Sequence, residues 1–340
     1  MSKRLIMCCD GTWNTAEQSS PTNVTKVWHA LSSEDHADTK QCSFYHPGVG
    51  VKSWERLRGG TFGFGLSRNV KDTYRFIVEN FEPGDELFFF GFSRGAFTAR
   101  STAGLVRNAG ILRGEHAHRL NEAYALYRSR VAHPRSAEAQ TFRNSYSYET
   151  RIHFIGVWDT VGALGIPLSP TRWVNFINRR WQFHDTDLST TVDAAFQALA
   201  IDEKRAPFKP AVWAQQADAV HQQVEQVWFT GVHSDVGGGY PERALAEITL
   251  RWMADRARSC GLTFDDGRFG TDALNPMGKL HESRTMLYKL LPPFVRAIGA
   301  KDVAHESVAS SAVKRHKTDS AYSPPGLAAY LNKPYRETQV

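Results

Sequence analysis

Glu86-Leu-Phe-Phe-Phe-Gly-Phe-Ser93-Arg-Gly-Ala-Phe-Thr-Ala-Arg100 runs from a wholly apolar segment into a helix-forming one, with a serine at the corner between two glycines. A serine hydroxyl becomes a useful nucleophile when a strained strand-to-helix turn lifts its oxygen out of a sheet, and the crowding of that turn admits little but glycine at Gly91 and Gly95. The pentapeptide alone is a weak signal; the flanking strand and helix give it weight.

Working outward, four further apolar runs read as strands: Arg4 to Cys9, Cys42 to Tyr45, Arg151 to Trp158 and Gln226 to His233. Continuous rather than alternating apolar residues imply strands covered on both faces, as in a parallel sheet. Helices are expected over Asn69 to Phe81, Arg94 to Leu112, Arg119 to Val131, Leu188 to Ile201 and Glu242 to Cys260. The fold class is therefore α/β, of α/β-hydrolase type: a doubly wound, mostly parallel sheet with helices on both faces and a cap insertion. With 340 residues and no long polar linker, residues 1–340 read as one domain. The cap is expected at 164–184, where Trp173, Phe176, Ile177, Trp181 and Phe183 interleave with Arg172, Arg179 and Arg180. An irregular tail is expected from about residue 310, on the strength of Pro324-Pro325 and Pro334.

Composition excludes several classes. Hydrophobic content of 41% and aromatic content of 12% argue against disorder, and the longest apolar runs fall short of the ~20 residues of a membrane span. The apolar stretch after Met-Ser-Lys-Arg is too short for a signal peptide and reads as the first strand, so the chain is expected in the cytoplasm as synthesised, any export being independent of such a peptide. Cys8, Cys9, Cys42 and Cys260 fit neither a disulfide framework nor a metal cage, since adjacent Cys8 and Cys9 on a strand point to opposite faces. The net charge of +6 comes from scattered residues with no nucleic-acid motif, so no nucleic-acid partner is expected. The arginines among the aromatics of the cap would suit transient contact with a membrane surface.

In a parallel α/β sheet, ligands sit at the carboxyl ends of the strands. Those ends carry Asp10-Gly11-Thr12, His46-Pro-Gly48, Ser93, Asp159 and His233. A serine hydrolase needs a nucleophile, a histidine to remove its proton and a carboxylate to hold that histidine in one tautomer, here in the order Ser93, Asp159, His233. Asp159 could instead be a helix N-cap. His281 is a competing base, and Asp235 a competing partner for His233. The backbone N–H of Arg94 is the expected first donor to the oxyanion, and that of Gly11 or Thr12 the second, with the Asp10 side chain holding the turn. A metal site pairing Asp10 with Asp235 has too few carboxylates, and no metal or cofactor is expected. Neither Gly59 to Gly65 nor Gly237 to Gly239 has the dinucleotide spacing.

With these residues laid out, the chain resembles the catalytic domain of the type VI secretion phospholipase effectors, a family of α/β-hydrolases. The resemblance rests on CCDGTWN at 8–14, HPGVG at 46–50, PGDELFFFGFSRGAFTAR at 83–100, GVWDTVGALG at 156–165, AIDEKRAPFKPAVW at 200–213 and WFTGVHSDVGGGY at 228–240. It implies a Ser-Asp-His hydrolase built from Ser93, Asp159 and His233, acting on a small-molecule or lipid ester. The rival reading is a non-catalytic binding or scaffold protein on a hydrolase fold.

Overall fold

The computed structural model describes residues 2–12, 14–33, 39–48, 61–129, 131–161, 187–270 and 274–340; the expected cap at 164–184 lies outside them. β1 (Arg4–Cys9), α1 (Asn23–Ala30), β2 (Gln41–His46), α2 (Thr61–Asn80), β3 (Glu86–Phe92) and α3 (Arg94–Ala109) form the first half. A small antiparallel ribbon of β4 (Ile111–Leu112) and β5 (Ser147–Tyr148) encloses α4 (Leu120–Arg128) and α5 (Ala137–Tyr146). β6 (Ile152–Trp158), β7 (Val192–Ala200) and β8 (Gln223–Phe229) follow, then α6 (His233–Gly237) and α7 (Ala244–Ser259). β9 (Glu306–Ala309), α8 (Ser310–Thr318), α9 (Pro325–Leu331) and β10 (Glu337–Thr338) complete the chain.

The main sheet has the order β10-β9-β8-β7-β6-β3-β1-β2, and every pairing in it is parallel. Apolar residues alternate between two layers. Ile6, Cys8, Phe88 and Phe90 pack with α1 and α7 on one face, and Leu5, Met7, Cys9, Leu87 and Phe89 with α2 and α3 on the other. This is why the strands read as unbroken apolar runs. Each buried phenylalanine contributes roughly 2 kcal/mol by leaving water. Cys8 and Cys9 lie on opposite faces as expected, and all four cysteines are free thiols. The chain leaves β1 toward β2 on one side and returns to β3 on the other, so the strand order reverses between β1 and β3. The crevice at their carboxyl ends is where Asp10-Gly11 meets Ser93.

Three expectations are corrected. Leu188 to Ile201 is not a helix: Val192-Asp-Ala-Ala-Phe-Gln-Ala-Leu-Ala200 is the strand β7, buried along nearly all its length between β6 and β8. Alanine favours helices in isolation, but here its small side chain lets helices close on both faces of a central strand, and packing overrides propensity. The last strand before the histidine runs from Gln223 to Phe229, leaving His233 as the first residue of α6. The tail is regular. Pro324 and Pro325 begin α9, where a proline's fixed φ and missing N–H cost nothing, and β9 and β10 extend the sheet.

Buried carboxylates tie this last segment to the rest. Glu306 accepts from Trp228 Nε1 (3.0 Å) and from the N–H groups of Gly299, Lys301 and Asp302 (3.0, 3.0 and 2.9 Å). Asp202, just beyond β7, accepts from Gly231 N–H (2.7 Å) and Tyr322 OH (2.9 Å), and burial pushes its carboxyl up to about 6. An acid whose folded pKa lies above its unfolded value binds its proton more tightly when folded. Its stabilising share is present at low pH and is lost as pH rises from about 4 to about 6. Asp202→Asn keeps an acceptor without this loss. Urea denaturation should therefore show the variant gaining on the parent by about 2 kcal/mol between pH 4 and pH 7; a constant difference across that window would refute the assignment.

Candidate active site

Ser93 joins β3 to α3 with φ +57° and ψ −119°, and among the described residues only Ser93 and Asp159 (φ +40°) are non-glycine residues with positive φ. Such conformations persist only where the surroundings enforce them. For Ser93 they do so through Ser93 N–H donating to Trp158 O (3.0 Å) and through the two flanking glycines. A methyl on Gly91 would lie 2.6 Å from Ala96 Cα, and one on Gly95 2.1 Å from Cys9 O. The α3 N-terminus is thereby seated directly on the end of β1.

The turn after β1 abuts the serine: a methyl on Gly11 would lie 3.3 Å from Ser93 Cβ. Asp10 holds that turn. Its Oδ1 accepts from Gly11 N–H (2.6 Å), and its Oδ2 from the hydroxyls of Thr22 (2.7 Å), Thr25 (2.9 Å) and Tyr45 (2.8 Å). Thr22 is the N-cap of α1, so the same carboxylate anchors that helix. Burial raises the Asp10 carboxyl against the pull of these four donors. Of the two amides expected as the second oxyanion donor, Gly11 is thus engaged. Among the described residues the N–H of Thr12 has no acceptor and its buried hydroxyl no partner.

His233 sits at the start of α6, 5% exposed, because Gly231 (φ +125°) turns the chain sharply after β8. Its Nδ1 meets Asp159 Oδ2 at 2.6 Å, which leaves Nε2 as the nitrogen able to act as a base. The ring packs 4.6 Å from Phe92, the neighbour of Ser93, and edge-on to Phe208 at 5.0 Å. Its backbone N–H donates to Glu203 Oε2 (3.3 Å); Glu203 is paired to Arg205 (2.8 Å) and accepts from Ser283 (2.9 Å). Burial opposes ionisation of Glu203, but Arg205 holds the carboxyl below its ordinary range.

Asp159 is fully buried and is no helix cap. Oδ1 accepts from Ala200 N–H (3.1 Å) and Arg296 Nη1 (2.6 Å), while Oδ2 accepts from His233 Nδ1 and Arg296 Nη2 (3.0 Å). Burial by itself would raise this carboxyl. The Arg296 charge, together with the hydrogen bonds from His233 and Arg296, instead holds it far below the usual carboxylate range. Arg94, next to the serine, is half-buried, and desolvation draws its guanidinium down to about 10.

The two competitors pair with each other. His281 Nδ1 meets Asp235 Oδ1 at 2.6 Å, and His281 Nε2 meets Glu242 Oε2 at 3.2 Å. With both ring nitrogens on carboxylates, neither reaches a serine oxygen. Asp235 also accepts from the N–H groups of Val232 (3.0 Å) and His281 (3.2 Å), so it does not orient His233. The described residues contain no cluster of three or more His, Cys, Asp or Glu arranged to hold a metal, and Asp10 has its donors already. No helix among them is long and apolar enough to cross a membrane. Sequence reading missed Glu203 and Arg296. Glu203 stands within AIDEKRAPFKPAVW at 200–213, whereas Arg296, 137 residues from Asp159, gives no signal of spacing or composition.

The model of the family "T6SS, Phospholipase effector Tle1-like, catalytic domain" matches residues 3–256. An uncharacterized protein of Saccharomyces cerevisiae, YEL023C, is 29% identical over 231 residues, covering 61% of this chain and 32% of the other. The chain thus spans about a third of the length of that curated relative. Among solved structures, an uncharacterized protein from Pseudomonas aeruginosa superposes with a TM-score of 0.44 at 19% identity over 78% of this chain and 47% of that one. The Tle1 effector bound to the VgrG spike does so with a TM-score of 0.38 at 17% identity, over 71% and 52%.

Proposed function

Since the chain belongs to the family of Tle1-like phospholipase effector catalytic domains, we propose that it is a serine hydrolase that cleaves acyl esters through Ser93, His233 and Asp159. The single observation that carries this reading is the 2.6 Å contact between His233 Nδ1 and the buried Asp159 carboxylate, set beside a serine in a strained strand-to-helix corner. His233 Nε2 removes the Ser93 proton as Oγ attacks the ester carbonyl carbon. The N–H groups of Arg94 and Thr12 receive the oxyanion, together worth several kcal/mol in the transition state. The tetrahedral adduct collapses to an acyl-serine as His233 returns the proton to the departing alcohol. Water, deprotonated by His233, then attacks the acyl-serine, and Ser93 leaves with the proton. Asp159 stabilises the imidazolium formed in each half-reaction and is not itself protonated.

The substrate follows the family: an acyl ester, with phospholipid the first class to test. A fluorophosphonate probe should form a covalent adduct on the peptide containing Ser93, and p-nitrophenyl esters from acetate to palmitate, alongside phospholipid vesicles, should define the acyl group. A folded protein that leaves the probe unreacted would favour a binding or scaffold role on the same fold.

A further inference from the structure

We propose that Arg296 is a positioning residue of the catalytic centre, fixing the plane and the charge of Asp159 and through them the basicity of His233, from a segment beyond the residues the family model matches. The inference rests on the hydrolase reading above and adds a fourth residue to it. The family match ends at residue 256, yet the Arg296 side chain is fully buried against Asp159.

The geometry is that of a clamp. Nη1 donates to Asp159 Oδ1 (2.6 Å) and to Ala200 O (2.8 Å); Nη2 donates to Asp159 Oδ2 (3.0 Å) and to Phe208 O (2.6 Å). One guanidinium thus bridges both carboxylate oxygens, the end of β7 and the residue whose ring packs on His233. A planar fork with fixed donors can do this; a lysine ammonium cannot. The pairing also answers a cost. An ionised carboxylate fully out of water, faced only by a neutral imidazole, would tend to take up a proton, and a buried guanidinium without a counterion would be equally unfavourable. Each charge is maintained by the other.

Removing Arg296 therefore acts on the pH profile in one direction. His233 is faced by Asp159 at Nδ1 and by Glu203 at its backbone N–H with Arg205 behind it, while Asp235, two residues further on, is paired to His281. Loss of the one cation lying on Asp159 makes the Asp159–His233 pair more basic, and whichever of the two takes the extra proton, the acid limb of the rate profile moves to higher pH.

The test uses the full chain, with p-nitrophenyl butyrate hydrolysis and the rate of fluorophosphonate labelling measured from pH 4 to pH 9 for the parent, Arg296→Met, Arg296→Lys and Ser93→Ala. Arg296→Met should raise the acid limb by about one pH unit and lower kcat/KM at least tenfold. Arg296→Lys, which keeps a charge but loses the bridge, should leave the limb within about 0.3 unit of the parent while losing about tenfold in rate. A folded Arg296→Met with an unmoved acid limb overturns the proposal, as does Arg296→Lys with the parent's rate. Should Arg296→Met not fold, Arg296→Lys decides. Ser93→Ala separates the two layers: if it keeps the parent's rate, the hydrolase reading falls and Arg296 with it, whereas a Ser93-dependent rate that is indifferent to residue 296 removes Arg296 alone.

Discussion

Asp159→Asn should lower kcat/KM toward a short p-nitrophenyl ester by about 10⁴ and destabilise the fold by about 3 kcal/mol. The first effect follows from hydrogen-bond polarity. Asp159 is surrounded only by donors: Ala200 N–H, both Arg296 nitrogens and His233 Nδ1. An asparagine amide turned so that its NH₂ meets His233 forces the imidazole into the tautomer protonated at Nε2, which cannot accept the serine proton. Turned the other way, the NH₂ confronts Ala200 N–H and Arg296. The second effect follows from charge, because Arg296 is left buried without a counterion. Steady-state kinetics and a urea titration read the two effects separately. A rate within tenfold of the parent would exclude Asp159 from the catalytic centre, and unchanged stability would mean the Asp159–Arg296 pair is energetically silent.

Gly95→Ala is the second large effect, and it should act without touching any titratable group. The added methyl would lie 2.1 Å from Cys9 O and 2.4 Å from Asp10 O, backbone atoms at the end of β1 and just beyond it that cannot turn away. α3 must lift from the end of β1, a strain of about 3 kcal/mol. The same contact sets the spacing between the amide of Arg94, at the start of α3, and that of Thr12, just beyond β1. A displacement of about 1 Å between two oxyanion donors costs about 10² in rate. Gly114→Ala, where an added methyl meets nothing within 4 Å, is the control and should match the parent in kcat/KM and urea midpoint. Equal behaviour of the two variants would show that Gly95 is incidental.

Much of the fold could be read from the chain because its strands carry their burial in their own residues. Arg4–Cys9 and Glu86–Phe92 have in the structure the bounds expected from their residues, since five or more consecutive apolar residues can be satisfied only between two layers. β7 was misread because Ala194, Ala195, Ala198 and Ala200 look helical by propensity, and only the neighbouring strands and helices make a strand of them. The tail departs from its expected irregularity because Pro324-Pro325 starts a helix rather than breaking one.

At the site, the local chemistry was legible and the partnerships were not. Gly91, Ser93 and Gly95 announce a strained corner, and Asp10-Gly11 a held turn, because backbone sterics act over a few residues. Asp159 and His233 could be nominated from their places at strand ends, with His281 and Asp235 as competitors, but only the completed fold pairs Asp235 with His281 and Asp159 with His233.

What this sequence determines by itself is therefore conformational: which segments must be buried strands, where the backbone is forced to positive φ, and which residue types stand at the strand ends. What tertiary structure decides is electrostatic: which carboxylate meets His233 across 74 residues, which imidazole is spent on structure, and which distant arginine lies on Asp159. The reason is range. Steric and propensity terms depend on neighbours in the chain, whereas the energy of a buried charge depends on whatever the completed fold places within a few ångströms of it.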